Sequence, residues 1–125
     1  MILDTNALSA LVARDESLAL LIGSAPRIAV TLVSLGEFNF GILGSSKQRE
    51  LEQWLNVFLE HTDVLAVDQL TIPHYAAIRH ELKHAGTPIP ANDVWIAAIA
   101  RQHQLAVVSR DQHFKKVKKL KLLSW

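Results

Sequence analysis

Residues 91–100, Ala91-Asn92-Asp93-Val94-Trp95-Ile96-Ala97-Ala98-Ile99-Ala100, read as a helix that opens on a carboxylate and is apolar on almost every face. Val94, Ala97 and Ala98 recur at helical spacing, and Trp95, Ile96 and Ile99 fill the intervals. A helix apolar all round belongs in a core. Pro88 and Pro90 just upstream suit a loop that ends where a helix begins. Asp93 is therefore an acid at the mouth of a buried element. Capping explains it simply, because Asn92 and Asp93 both favour the positive end of a helix. Membership of a metal site is the sharper explanation, and acids elsewhere in the chain decide between the two.

Outward from this helix, strand-like and helical patterns alternate. Residues 1–3 form a short apolar run that stops at Asp4, with helical spacing over 7–12. Residues 16–23 predict a helix closed by Gly23 and Pro26. The β-branched run 27–31 predicts a buried strand, followed by a helix that begins near Ser34 and is broken by Gly44-Ser45-Ser46. Residues 47–60 place Leu51, Trp54, Leu55, Phe58 and Leu59 on one stripe. A third strand is expected at 64–67, then a long helix from about 70 to 85 ended by Gly86. A fourth strand at 105–109, a helical turn at 112–116 and a closing strand within 120–123 complete the series. No repeat or linker interrupts it, so 1–125 reads as a single domain.

Alternating strands and helices predict an α/β fold with a parallel sheet covered on both faces. Sites in such folds form outside the carboxyl ends of the strands. Asp4 and Asp111 each follow a strand directly, Glu37 lies just inside the helix after the second strand, and Asp93 opens the central helix. Four carboxylates from distant sequence are thus predicted at one edge of the sheet. Each has a bland explanation: Ser34 and Glu37 have capping-box spacing, and Asp4, Asp93 and Asp111 can serve as N-caps. Together they need more, because crowded carboxylates repel and raise one another's pKa unless a cation neutralises them. Hard oxygen ligands suit Mg²⁺ or Mn²⁺, ions that support phosphodiester hydrolysis.

Composition bounds the alternatives. Half of the 125 residues are hydrophobic and a fifth are charged, which excludes a disordered chain. With no cysteine there are no disulfides or thiolate metal sites, which fits a reducing, cytoplasmic setting. Residues 1–4 lack the basic and apolar regions of a signal peptide, and no apolar stretch approaches the roughly 20 residues that span a bilayer. The net charge of +1 conceals a cluster of Lys115, Lys116, Lys118, Lys119 and Lys121, which is either a solvated face or a contact for nucleic acid.

Leu3-Asp4-Thr5-Asn6, Glu37 in an apolar helix, Asn92-Asp93-Val94-Trp95-Ile96-Ala97-Ala98 and Ser109-Arg110-Asp111-Gln112-His113-Phe114 resemble, in order, the four acidic motifs of PIN-domain ribonucleases. The resemblance is nearest to the VapC toxins of bacterial toxin–antitoxin pairs and covers essentially the whole chain. It implies a three-layer α/β/α sandwich with a central parallel sheet, and Mg²⁺- or Mn²⁺-dependent endoribonuclease activity. Carried over, Asp4 and Asp93 are the principal metal ligands, and Glu37 and Asp111 complete the pocket directly or through water. Asn6 would orient the Asp4 side, and the Ser109 hydroxyl would hydrogen-bond within the site. Apart from the resemblance, Arg110 beside the acids is either a phosphate contact or the partner of an acid. The family often carries Thr where this chain has Ser109, a change that keeps the hydroxyl. The implied partners are the RNA substrate, a cognate antitoxin and a second copy of the chain.

Two other readings compete. His80-Glu81-Leu82-Lys83-His84 matches H-E-x-x-H, in which two histidines one helical turn apart share zinc and the Glu acts as base. Gly86, Pro88 and Pro90 end that helix at once, His74 is off the face, and the next helix offers only Asp93 and then His103. The remaining alternative is a non-catalytic binding module whose acids are caps. His113 is either a phosphate contact or a bland turn residue, Trp54 and Trp95 are expected in the core, and Trp125 is unassigned. The apolar stripes around Phe38, Phe40, Leu51 and Trp54 are candidate partner surfaces.

Overall fold

The computed structural model describes all 125 residues. Its elements run β1 (Ile2–Leu3), α1 (Thr5–Val12), α2 (Glu16–Gly23), β2 (Ala29–Thr31), α3 (Leu32–Leu43), α4 (Gln48–Leu59), β3 (Asp63–Leu65), α5 (Thr71–His84), α6 (Ala91–His103), β4 (Val107–Val108), a 3-10 segment (Gln112–Lys116) and β5 (Leu122–Leu123). The five strands form one sheet in the order β3-β2-β1-β4-β5, with every pair parallel. The expected strands and helices are all present, and the expected α/β/α layering follows from the side-chain alternation of the strands. Ile2, Ala29 and Val107 point to a core completed by α5, α6, Phe114 and Val117. Leu3, Val30 and Val108 point to the other face, covered by Leu8 and Leu18 of α1 and α2, Phe38 of α3 and Leu55 of α4. Strands buried on both faces read as continuous apolar runs, which is why they lack polar alternation.

The central helix α6 is buried as its sequence requires, from Val94 through Ala100 apart from the half-buried Trp95. Its alanines keep side chains short where the helix meets the sheet, and the distance between packed elements follows the side chains at their contact. Trp95 stacks on Tyr75 of α5 with ring centroids 3.8 Å apart. Trp54 stacks on Phe58 at 5.0 Å and leans on Phe38 at 5.9 Å; Phe38 is buried, and Leu51 and Trp54 are half-buried against the core. Only Phe40 of that proposed stripe is open to solvent, alongside Leu32 and Leu43 of the same helix.

Several local expectations give way to specific contacts. β3 begins at Asp63 instead of Val64, because Asp63 aligns with Ala29 in register and its carboxylate pairs with Arg27. Helix α3 begins at Leu32, capped by Thr31, whose hydroxyl accepts the Ser34 N–H at 3.0 Å. Ser34 is therefore inside the helix, and the anticipated Ser34–Glu37 capping box does not form. Asp93 is not a cap either: α6 starts after Pro90 with no side-chain cap, which puts Asp93 in its first turn. Asp4 and Asp111 do cap α1 and the 3-10 segment.

Candidate active site

Strand order decides where a site can form. The chain runs from β1 to β2 and β3 on one side, then returns to place β4 against the other flank of β1. A crevice opens at such a reversal, beyond the carboxyl ends of the two strands. Asp4 leaves β1 at this point, and Ser109 to Asp111 leave β4 beside it. The Asp4 N–H donates to the Val108 carbonyl at 3.3 Å, which ties the two segments together. Helix α6 brings Asp93 to the same edge, and α3 brings Glu37.

Asp4 is 4% exposed. One of its carboxylate oxygens accepts the Ala7 N–H at 2.9 Å, and the other accepts the Ser109 hydroxyl. Ser109 Oγ in turn accepts the Asp111 N–H at 2.9 Å, so one buried hydroxyl fixes two acids that are 107 positions apart in the chain. Asp111 Oδ1 accepts the His113 N–H at 2.9 Å. The His113 ring then lies between two carboxylates, with Nδ1 2.9 Å from Asp93 Oδ2 and 3.1 Å from Asp111 Oδ1. One ring nitrogen thus bridges the two acids. Glu37 is held from two sides: Oε2 accepts the Thr5 hydroxyl at 2.9 Å and Oε1 accepts the Asn92 amide at 3.0 Å.

Electrostatics follow from this crowding. Burial pushes the Asp4 carboxyl up to about 6; the hydrogen bonds from Ser109 and Ala7 oppose the rise, and the charges of Asp111 and Asp93 add to it. Asp93 is also raised, chiefly by burial, with His113 opposing and the charges of Asp111 and Glu37 reinforcing. Acids that hold one another's protons in this way are poised to exchange them for a cation. Ligand atoms of Asp93, Asp111 and His113 all lie within 4.8 Å of one another, the one such group of three in the chain. Carboxylate oxygens with one imidazole nitrogen and no thiolate suit a hard divalent ion.

The remaining residues singled out from sequence fall in different places. Asn6 makes no hydrogen bond to Asp4; it lines an open cavity of about 560 Å³ shared with Arg110, Asp111, His113 and Trp125. The Arg110 guanidinium is engaged there by the Trp125 carbonyl at 2.9 and 3.0 Å, by the Trp125 ring at 4.5 Å and by Asp15 at 3.8 Å. Trp125 closes the group by donating its indole N–H to Asp15 at 3.2 Å. His80 and His84 are exposed on α5, and Glu81 accepts both guanidinium nitrogens of Arg101 at 3.3 Å. With its acid spoken for and no third ligand near, the H-E-x-x-H match is not a zinc site. Thr5 and Asn92 as the holders of Glu37 were not foreseen; the nearest signal is their position next to Asp4 and Asp93.

The PIN domain family model matches residues 1–120. The chain belongs to the PIN-domain family. This PIN domain is 32% identical over 90 residues to Ribonuclease VapC5 of Mycobacterium tuberculosis, which covers 70% of this chain and 67% of that protein. It is 27% identical over 99 residues to Ribonuclease VapC2 of Rickettsia felis, covering 78% and 74% of the two. Among solved structures, VapBC2 from Rickettsia felis bound to a DNA fragment from its promoter gives a TM-score of 0.89 at 26% identity, over 99% of this chain and 97% of that one. VapBC-5 from Mycobacterium tuberculosis, a toxin–antitoxin system, gives 0.74 at 28% identity over 98% and 94%. The resemblance drawn from the four motifs and the three-layer fold it implied are both borne out.

Proposed function

We propose that this PIN domain is a divalent-metal-dependent endoribonuclease, the toxin of a VapC-type toxin–antitoxin pair. One observation carries the reading: four acids from four separate segments converge on the β1/β4 crevice, with two of them held above the ordinary carboxylate range. Asp4, Asp93 and Asp111 would hold Mg²⁺ or Mn²⁺, with Glu37 completing the acidic wall. When bound, such an ion neutralises the acids, polarises a phosphoryl oxygen and lowers the pKa of a coordinated water.

The chain's own residues do the positioning. Ser109 keeps Asp4 and Asp111 in register, and the N–H of Ala7 holds the Asp4 carboxylate at the start of α1. Thr5 and Asn92 clamp Glu37, so that both its oxygens are oriented before substrate arrives. His113 bridges Asp93 and Asp111 and keeps them together. Asn6 lines the open cavity beside Asp111, where it would meet a bound strand. The toxin reading also assigns two protein partners, a cognate antitoxin and a second copy. The uncovered Leu32, Phe40 and Leu43 of α3 provide apolar surface for such association. No helix is long and apolar enough to cross a membrane.

The test is cleavage of RNA by purified protein with Mg²⁺ or Mn²⁺, with EDTA, and with Asp4→Asn and Asp93→Asn alongside. Cleavage lost in EDTA and in both variants is the expected result. Cleavage that survives both substitutions refutes the assignment of those ligands. A folded chain that cleaves no RNA, and whose stability ignores divalent ions, supports the binding-module reading instead.

A further inference from the structure

The segment after Asp111 returns the chain from the site edge of the sheet to its opposite edge, where β5 starts against β4 with Leu122 beside Val107. Along it Phe114, Val117 and Leu120 recur at every third position, and all three pack into the α5/α6 core; Phe114 and Val117 are 1% and 5% exposed. A period of three matches the 3-10 geometry of the first part, in which residues three apart lie on one face. Every other position from 115 to 121 is lysine: Lys115, Lys116, Lys118, Lys119 and Lys121, all exposed. None of the five forms an ion pair, whereas Arg27, Arg101 and Arg110 each face an acid. There is no Asp or Glu anywhere in 112–125 to offset them. Arg101 donates to the Lys118 carbonyl at 2.8 Å, which pins the turn at the middle of the strap.

We infer that this lysine face is a track for the phosphodiester backbone of the RNA strand that flanks the scissile bond. The track presupposes the ribonuclease reading and adds where the strand lies. It begins at the site itself, since Asp111 caps the 3-10 segment and at about 2 Å per residue Lys115 and Lys116 follow within roughly 10 Å. An acidic crevice repels a polyanion beyond the one phosphate that its metal neutralises, so the flanking strand needs cations. Arg110, the nearest guanidinium, is occupied by Trp125 and Asp15. The strap supplies unpaired ammonium groups on a backbone already fixed by the buried Phe114 and Val117 and the half-buried Leu120. Lysines of this kind contact phosphates without reading bases, so the track serves affinity and not sequence choice.

The experiment measures binding of a labelled single-stranded RNA in EDTA at salt concentrations from about 50 to 200 mM, for the parent, for Lys115→Gln with Lys116→Gln, and for Lys47→Gln as a remote control. Each phosphate contact on a single strand contributes about 0.7 to the slope of log affinity against log salt, so the double variant should lose about 1.4 and the control nothing. Hydrolysis of a small nitrophenyl phosphodiester, too short to reach the strap, should be unchanged in the double variant, which shows that fold and site are intact. A slope equal to the parent's overturns the track while leaving the ribonuclease reading in place. A parent that neither binds nor cleaves RNA overturns both. Unchanged RNA binding with lost affinity for polyglutamate assigns the strap to an acidic protein partner and overturns the RNA track.

Discussion

Replacing Asp4 by Asn should stabilise the metal-free protein while destroying its activity. The Asp4 carboxyl titrates at about 6 in the fold against an ordinary 3.8. The folded state therefore holds this proton more tightly than the unfolded chain does. Its contribution to stability is full below about 3.8, declines as pH rises, and is lost above about 6. That gap corresponds to about 3 kcal/mol, with little solvent screening because the residue is 4% exposed. Asn carries no charge and remains a good N-cap, so it keeps the acceptor for the Ala7 N–H. At roughly 4 °C per kcal/mol for a domain of this size, the variant should melt about 10 °C higher at neutral pH in EDTA. Below the ordinary carboxylate range the two midpoints should coincide. Saturating Mn²⁺ should raise the parent far more than the variant and narrow the gap. Circular dichroism melts across this pH range, with and without the ion, decide the matter. Equal midpoints at neutral pH, or a gap that widens toward acid, would refute the idea that the buried carboxylate is a liability offset by a cation.

Other perturbations test the supports of the site. Asn92→Ala releases one of the two groups that hold Glu37, so affinity for Mn²⁺ should fall about 10- to 100-fold; an unchanged titration would detach Glu37 from the metal. Ser109→Ala removes the donor to Asp4 and the acceptor for the Asp111 N–H, at about 1–3 kcal/mol in urea unfolding, whereas Ser109→Thr should restore the hydroxyl and most of the loss. Thr31→Val deletes the cap of α3 and should cost about 1 kcal/mol by the same assay; no loss would return the capping role to Ser34.

Strong local signals carried most of the fold into view. Apolar runs such as Ile2-Leu3 and Val107-Val108 announce buried strands, and each is followed within three residues by an acid, Asp4 or Asp111, that packing does not require. One topological rule puts Asp4, Glu37, Asp93 and Asp111 at the same edge of the sheet, while strand order, which sets β4 beside β1, brings Asp4 and Asp111 together there. Contacts between distant side chains were out of reach. Glu37 at the fourth residue from Ser34 looks like a capping box, yet Thr31 is the better cap by three positions and leaves Glu37 free for Thr5 and Asn92. Arg110 beside the acids reads either as a phosphate contact or as an acid's partner, and the fold selects the second by bringing in Asp15 and Trp125. His113 had a local hint, its place two residues after Asp111, but its second partner Asp93 comes from another element.

The place of β1 in the middle of the sheet bears on when the enzyme can first act. Ile2 pairs with Val107, so the innermost strand of the sheet waits for a partner that is synthesised 105 residues later. At about 5–20 residues per second the ribosome keeps Asp4 apart from Ser109 and Asp111 for several seconds at least. Pairings of such long sequence separation also form slowly once the chain is free. A nascent copy therefore has no assembled acidic crevice, and a cell that makes this protein gains an interval in which an inhibitor can reach it before any RNA is cut.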